Sequence, residues 1–167
     1  MNENKCGAQR AELERRVASH PFVHGLNDHQ VQLLADCALG IQFKAGEVIF
    51  RKGESANRFY LIEKGTVAVQ GRMQNGTPVR LDTVSAGGLL GWSWLFEPYA
   101  WEFDAVAIEP TSAIFFYGTI LREYCDRDQT LGHELFRRMS KVMVRRLQVV
   151  RAKLIAAKES QAGDENI

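Results

Sequence analysis

The chain has 167 residues, 46% of them hydrophobic, and a formal net charge of +1 at pH 7. A chain of this length buries about two thirds of its unfolded surface and needs no disulfide or metal to fold. The small net charge excludes steering of the whole molecule toward nucleic acid. No segment resembles a signal peptide or approaches the roughly 18 apolar residues of a membrane span. We therefore expect a cytoplasmic protein that does not enter membranes.

The first predicted segment, residues 1–39, is helical. Residues 1–9 are polar and are expected to fray, and a short helix follows until Pro21 interrupts it. A second helix is predicted to begin at Asn27, because Gln30 three residues later completes a capping box, and to end at Gly40. This helix should pack on the edge of the next segment.

Residues 40–118 have the pattern of a compact antiparallel barrel, because short alternating strands are cut by glycines every six to twelve residues. Six apolar residues are expected to share one face of these strands: Val48, Phe50, Phe59, Leu61, Val67 and Val69. The stretch 87–101, GGLLGWSWLFEPYAW, is predicted to be a loop that holds one helical turn. Such a loop interrupts the barrel and is the natural place for a ligand.

Residues 119–158 return to helical periodicity, with a short helix followed by a long one that ends near Lys158. We define the seam as Met143, Leu147, Val150 and Leu154, whose spacing of four, three and four is typical of paired helices. A helix of roughly 40 Å outruns a barrel this small, which favours a homodimer over packing on the chain's own barrel. Residues 159–167 are predicted to be a disordered tail.

The long helix also carries eight cations and no acid between Phe136 and Lys158. The cations are Arg137, Arg138, Lys141, Arg145, Arg146, Arg151, Lys153 and Lys158. Because like charges weaken a helix, we expect an acidic surface beside them: a partner protein, or the chain's own Glu12 and Glu14. Solvent and an anionic ligand are the alternatives. Arg137, Arg138 and Lys141 are assigned to partner docking.

The order of elements resembles the cyclic nucleotide-binding domain of catabolite-activator-type regulators, protein kinase regulatory subunits and gated channels. The resemblance rests on Phe43 to Glu47, Gly53-Glu54, the Phe59 to Ile62 strand, the glycines at 65, 87, 88 and 91, and the helix with Arg146-Leu147. It implies an α+β fold, an antiparallel jelly-roll barrel with N-terminal helices and a long C-terminal helix. It also implies that residues 87–101 are the phosphate-binding cassette.

Family members that bind cyclic AMP have a Glu for the ribose hydroxyl and an Arg for the cyclic phosphate in this cassette. Trp92 occupies the Glu position when the chains are aligned on Gly91, and the Arg position falls at or next to Trp101. Losing two charge-assisted hydrogen bonds should weaken binding by on the order of a hundredfold or more. The candidate pocket residues are Gly88, Gly91, Trp92, Trp94, Trp101 and Arg80, with Arg72 as another possible phosphate partner.

Three interpretations of the cassette stay open. Its pocket is collapsed around Trp92, Trp94, Tyr99, Trp101 and Phe103, or retuned for an aromatic or less charged ligand, or still binds cyclic nucleotides. Enzymatic activity is not expected, because residues 40–118 contain no His or Cys for a cupin-type metal site and the chain has no P-loop. We expect no cofactor and no metal.

The predicted function is a non-catalytic accessory or regulatory subunit of a larger cytoplasmic complex. The chain ends nine residues after Lys158 without a helix-turn-helix, so DNA binding is not expected and output should pass through another polypeptide. In size and architecture the chain resembles the small accessory subunit of bacterial soluble NAD-reducing nickel–iron hydrogenases. The alternative is a small-molecule or nucleotide sensor that uses a Trp-rich pocket.

Overall fold

The structure is a computed structural model that describes residues 3–164, with side chains described from residue 7 to residue 161. Within this part of the chain, helices flank eight strands. The elements are α1 (Glu3–Ser19), α2 (Asp28–Asp36), β1 (Ala38–Phe43), β2 (Val48–Phe50), β3 (Arg58–Lys64), β4 (Thr66–Arg72), β5 (Pro78–Ser85), β6 (Leu89–Leu90), a 3-10 turn (Ser93–Leu95), β7 (Asp104–Ala107), β8 (Thr111–Tyr117), α3 (Gly118–Arg127) and α4 (Gln129–Asp164).

The strands form two four-stranded antiparallel sheets. One has the order β1-β8-β3-β6 and the other the order β2-β7-β4-β5. The turn from β3 to β4 needs Gly65, which has φ +88°, because an added Cβ would lie 2.5 Å from Thr111 Oγ1 and 2.6 Å from the Pro110 carbonyl oxygen. The predicted antiparallel β fold with flanking helices and a long C-terminal helix is confirmed.

Two apolar clusters hold this fold together, and β3 contributes to both. Tyr60 and Ile62 point between the two sheets, whereas Phe59 and Leu61 point toward the helices. The sequence-based expectation that Phe59 and Leu61 face the same way as Phe50 and Val67 is wrong. The β1-β8-β3-β6 sheet is covered by helices on its outer face, so β3 is apolar on both sides and its alternation does not reveal which side faces the barrel interior.

Helix boundaries follow local chemistry with three differences from expectation. Asn27 and Gln30 form the predicted capping box, but α2 ends at Asp36 and Gly40 lies within β1. At the N-terminus the helix begins at Glu3 rather than after residue 9, and at the other end α4 continues to Asp164. Residues 3–9 contain Glu, Lys, Ala and Gln, and residues 159–164 contain Glu, Gln and Ala, all of which have good helix propensity. Residues 165–167 of the predicted tail lie outside the described residues.

The long helix α4 changes its environment along its length. Leu131, Leu135 and Met139 are fully buried in the apolar cluster that contains Phe59 and Leu61. Among the side chains of α4 that are described, Arg146 is the last that is partly buried, and every residue from 147 to 161 is exposed. The second half of α4 therefore projects from the domain as a free helix.

Residues 3–164 contain neither a membrane-crossing helix nor a cluster of metal ligands. None of their helices has the length and hydropathy that crossing a membrane requires. In the same residues, no three His, Cys, Asp or Glu side chains come together as a metal site.

Candidate functional site

The predicted cassette loop, residues 87–101, closes one end of the space between the two sheets. A cavity of about 80 Å³ remains there. Its lining residues are Phe50, Val69, Leu90, Gly91, Trp92, Ser93, Trp101, Glu102, Phe103 and Arg146. Ligand sites usually have about 300–1,000 Å³, so this cavity has room for a few atoms but not for a nucleotide.

Trp101 is the reason that the cavity is small. Its side chain is 4% exposed, and its ring stacks on Phe50 with 3.8 Å between centroids and 12° between planes. Backbone bonds fix its position, since Trp101 N donates to the Glu54 carbonyl at 2.9 Å and Gly53 N donates to the Trp101 carbonyl at 2.8 Å. Trp101 is thus part of the barrel core.

Gly91 makes room for this indole. A Cβ at residue 91 would lie 2.8 Å from the Cη2 and Cζ3 atoms of Trp101, and the backbone there has φ +87°. Both the conformation and the close approach therefore require glycine. The Gly91 identified from the motif is a packing position for Trp101 in this chain.

Trp92 faces the long helix. The guanidinium of Arg146 lies 4.9 Å from the centroid of the Trp92 ring, within cation–π range. The same side chain donates a hydrogen bond to the Leu89 carbonyl, and its Nε lies 3.6 Å from an Asp82 carboxylate oxygen. Arg146 of α4 therefore contacts the cassette loop at Leu89 and Trp92, and it also contacts β5, the strand before the loop, at Asp82. We call this set of contacts the Arg146 latch.

The latch is largely shielded from water. The side chain of Arg146 is 19% exposed and that of Asp82 is 29% exposed. Burial lowers the pKa of Arg146 below its ordinary value, while the charge of Asp82 acts in the opposite direction. The guanidinium stays charged at any physiological pH. In the sequence Arg146 is one residue of a basic stretch and its role in the latch is hidden, because only the fold brings residue 146 to residues 82, 89 and 92.

Trp94 does not line the cavity. It is fully buried on the other side of the sheet, where its ring stacks on Phe59 at 5.2 Å. Arg122 of α3 donates to the Trp94 carbonyl at 2.5 Å and lies 4.4 Å from the Tyr99 ring centroid. The loop is consequently held by α3 at its middle and by α4 at its start. Among the described residues, Trp94 Nε1 is a buried donor with no acceptor.

The remaining predicted pocket residues also lie elsewhere. Arg80 is exposed on β5 and Arg72 pairs with Asp104 at 3.0 Å, so neither guanidinium reaches the cavity lining. Gly88 is required by packing, since a Cβ there would lie 2.7 Å from Val84 Cγ1. Of the six pocket residues proposed from the sequence, the structure brings Gly91, Trp92 and Trp101 together.

The three cations assigned to partner docking differ in how far they are exposed and in whether they are already ion-paired. Arg137 is paired with Glu134 at 2.6 Å. Arg138 is mostly buried, pairs with Glu134 at 2.7 Å and donates to the Phe22 carbonyl at 2.5 Å. These bonds hold the pKa of Glu134 down at about 2, with the Arg137 hydrogen bond as the largest cause. Lys141 is exposed, and the described residues give it no ion pair.

The acid beside the first arginines is therefore Glu134 of the same helix rather than Glu12 or Glu14. Arg138 serves to join α4 to the segment that contains Phe22. The seam, in contrast, is available for contact, since Leu147, Val150 and Leu154 are 50%, 51% and 57% exposed. Met143 is half-buried.

The family model described as the cyclic nucleotide-binding domain matches residues 41–128, just over half of the chain. The chain belongs to the cyclic nucleotide-binding domain family. A cAMP-dependent protein kinase regulatory subunit of Schizosaccharomyces pombe is 32% identical over 83 residues, which are 50% of this chain and 19% of that protein. The chain thus spans about a fifth of the length of the curated relative it matches.

Solved structures show the same fold. A protein of Geobacter metallireducens that is classed as cyclic nucleotide-binding is 27% identical with a TM-score of 0.71, over 80% of this chain and 97% of that one. The regulatory subunit of a cAMP-independent protein kinase A from Trypanosoma cruzi, bound to guanosine, is 24% identical with a TM-score of 0.59. That alignment covers 72% of this chain and 47% of the other, and it shows the fold alone.

Proposed function

We propose that this protein is a non-catalytic regulatory or accessory subunit whose cassette is closed by its own side chains and does not bind cyclic AMP tightly. The observation that carries the proposal is the position of Trp101. Its indole is packed on Phe50 in the barrel core, at or next to the position where the resemblance to cyclic AMP-binding family members implies the arginine for the phosphate.

Charge and volume both support this proposal. By the resemblance, Trp92 stands at the position of the carboxylate and the position of the guanidinium falls at or next to Trp101, so two charge-assisted hydrogen bonds would be lost, each worth roughly 1.5–3 kcal/mol. The remaining cavity of about 80 Å³ is smaller than a nucleotide requires. Two charged residues, Glu102 and Arg146, line the cavity, and the cation of the two is held by Asp82, Trp92 and the Leu89 carbonyl.

Calorimetric titration of the protein with cyclic AMP tests the proposal. We expect a dissociation constant of about 100 µM or weaker. The double variant Trp92→Glu and Trp101→Arg should bind more tightly than the wild type, provided that near-UV circular dichroism shows an intact barrel. A dissociation constant in the low micromolar range for the wild type would refute the proposal.

If the cassette binds no ligand, the protein is expected to act through contacts of its outer surface with another protein. The exposed seam on the free half of α4 supports coupling to another chain, because contiguous exposed apolar residues on a helix are a common protein interface. We propose that this coupling takes place in the cytoplasm, and that neither DNA nor a membrane is a partner. The seam spacing taken by itself predicts a homodimer, and light scattering of the wild type tests that prediction.

The specific assembly that we propose is a bacterial soluble NAD-reducing hydrogenase, in which the chain would be the small accessory subunit. Similar size and architecture are the only support for this assignment. Purification of the tagged protein from its native cells, with identification of the co-eluting chains, tests it. Co-elution with the subunits of such an enzyme is expected, and their absence from a stable complex would refute the assignment.

A second candidate function is a sensor of a small uncharged aromatic ligand such as a nucleoside. Four of the ten residues that line the cavity are aromatic, and a kinase regulatory subunit of the same fold was solved with guanosine bound. Binding would require Trp92 to move, because the present cavity is too small. Calorimetric titration with guanosine distinguishes the two functions. A dissociation constant in the micromolar range for the wild type, with no binding to a Trp92→Ala variant, would favour the sensor.

A further inference from the structure

We propose that the free half of α4 binds an acidic amphipathic helix of a partner protein in preference to a second copy of this chain. The proposal rests on the proposed function, because it specifies the chemistry of the partner through which a regulatory subunit would act. Two observations carry it: the seam is exposed, and the charges beside the seam all have one sign.

The free half of α4 is long enough to form a helix pair. Every residue from 147 to 161 is exposed, which corresponds to about 22 Å of helix. Within this length, Leu147, Val150 and Leu154 present an apolar stripe to solvent. An apolar stripe at this spacing is the surface that a second helix covers in a coiled coil.

The positions beside the stripe determine which helix fits. When Leu147 and Leu154 take the a positions of a heptad and Val150 the d position, four residues fall at the flanking e and g positions: Arg146, Arg151, Lys153 and Lys158. All four are cations. Charges at e and g choose the partner in coiled coils, because they face the same positions of the other helix.

A second copy would place cations opposite cations. In a parallel pair residue 146 faces residue 151 of the other helix and residue 153 faces residue 158, while an antiparallel pair joins e to e and g to g. Both arrangements bring like charges together, which is unfavourable. Arg146 is engaged in the latch, but Arg151, Lys153 and Lys158 have no ion pair among the described residues. A helix with Glu or Asp at its e and g positions would neutralise them.

The first experiment uses the protein as its own probe. A variant with Arg151→Glu, Lys153→Glu and Lys158→Glu supplies a seam of unchanged apolar residues with acidic flanks. We expect the wild type alone to stay monomeric at concentrations where an equimolar mixture with this variant forms a 1:1 complex in analytical ultracentrifugation. The dissociation constant of the mixture should be on the order of a hundredfold lower than that of wild-type self-association, and should rise with salt.

A matched control separates pairing along the seam from general attraction of opposite charges. The variant Arg51→Glu, Lys64→Glu and Arg80→Glu has the same net charge, with the new acids on the exposed surface of the barrel. It should not form the complex, and Leu147→Asp in the wild-type chain should abolish the complex with the first variant. Equal complex formation by the control, a mixture that stays monomeric, or a wild-type homodimer as tight as the mixture would each overturn the proposal.

A second measurement is independent of how the full-length variant folds. Two synthetic peptides with the chain's own residues 139–161 are titrated into the wild-type protein, one unchanged and one with Arg146→Glu, Arg151→Glu, Lys153→Glu and Lys158→Glu. We expect only the acidic peptide to bind. Equal binding of both peptides, or preference for the unchanged one, contradicts the proposal, whereas the closed cassette is tested separately by the cyclic AMP titration.

Discussion

Replacement of Arg146 by alanine tests whether the latch between α4 and the cassette loop stabilises the protein. The substitution removes the hydrogen bond to the Leu89 carbonyl, the cation–π contact at 4.9 Å from the Trp92 centroid and the ion pair with Asp82 at 3.6 Å. A hydrogen bond from a charged group contributes about 1.5–3 kcal/mol, and the cation–π contact about 1 kcal/mol. The ion pair is long at 3.6 Å and partly exposed, so it adds less than about 1 kcal/mol.

Two costs reduce this sum. Arg146 is desolvated in the folded state, as its lowered pKa indicates, and its long side chain is immobilised at about 1–2 kcal/mol. We therefore expect a net loss of about 2 kcal/mol in the free energy of unfolding for Arg146→Ala. In a domain of this size, that loss corresponds to a melting temperature lower by about 4–8 °C.

Urea unfolding followed by circular dichroism measures this loss. The matched control is Arg145→Ala, because Arg145 is exposed on the same turn of α4 and has no ion pair among the described residues. The control should change the free energy of unfolding by less than about 0.5 kcal/mol. If Arg146→Ala destabilises the protein no more than Arg145→Ala does, the latch contributes nothing and the reasoning is refuted.

Three further predictions concern other parts of the molecule. Leu147→Asp should abolish any assembly along the seam but change the free energy of unfolding by less than about 0.5 kcal/mol, because Leu147 is 50% exposed; unfolding of the monomer would show that the seam packs on the barrel. Gly91→Ala should destabilise the protein by about 1–3 kcal/mol more than Gly76→Ala, because both residues have positive φ but only residue 91 approaches Trp101. Equal losses of unfolding free energy in the two variants would show that the close approach to Trp101 is unimportant. Glu134→Gln should lower the free energy of unfolding at neutral pH. Because the pKa of Glu134 is depressed to about 2 in the folded protein, the difference in stability between variant and wild type should shrink as pH falls from about 4.5 to 2. A difference that does not depend on pH would contradict the role of the Arg137 and Arg138 bonds.

The features that depend on short stretches of sequence could be predicted. The capping box of Asn27 and Gln30, the helical turn inside the cassette loop and the antiparallel strands all follow from local patterns of polarity and glycine. Trp92, assigned to the pocket by alignment on Gly91, and Trp101, assigned by counting back from the strand that begins at Asp104, line the same cavity.

Features that depend on how the helices pack against the sheets could not be predicted. The two-sided burial of β3 left the direction of Phe59 undetermined, and the same ambiguity put Trp94 into the pocket when it lies on the opposite side of the sheet. Arg146 looked like one cation among eight, although its partners Asp82 and Leu89 are more than 50 residues away. Contacts at this separation leave no periodic signal in the sequence.

Hydrogen exchange of the cassette loop with and without cyclic AMP tests most directly whether the cassette is closed by its own side chains. Exchange of amides in residues 87–101 is measured by mass spectrometry in the free protein and with about 20 µM cyclic AMP, which saturates a low-micromolar site but fills less than about a fifth of a site with a dissociation constant of about 100 µM or weaker. We expect identical exchange in both samples, because Trp101 already fills the space and the Arg146 latch already holds the loop. Protection of these amides that saturates with added cyclic AMP in the micromolar range would contradict the closed cassette.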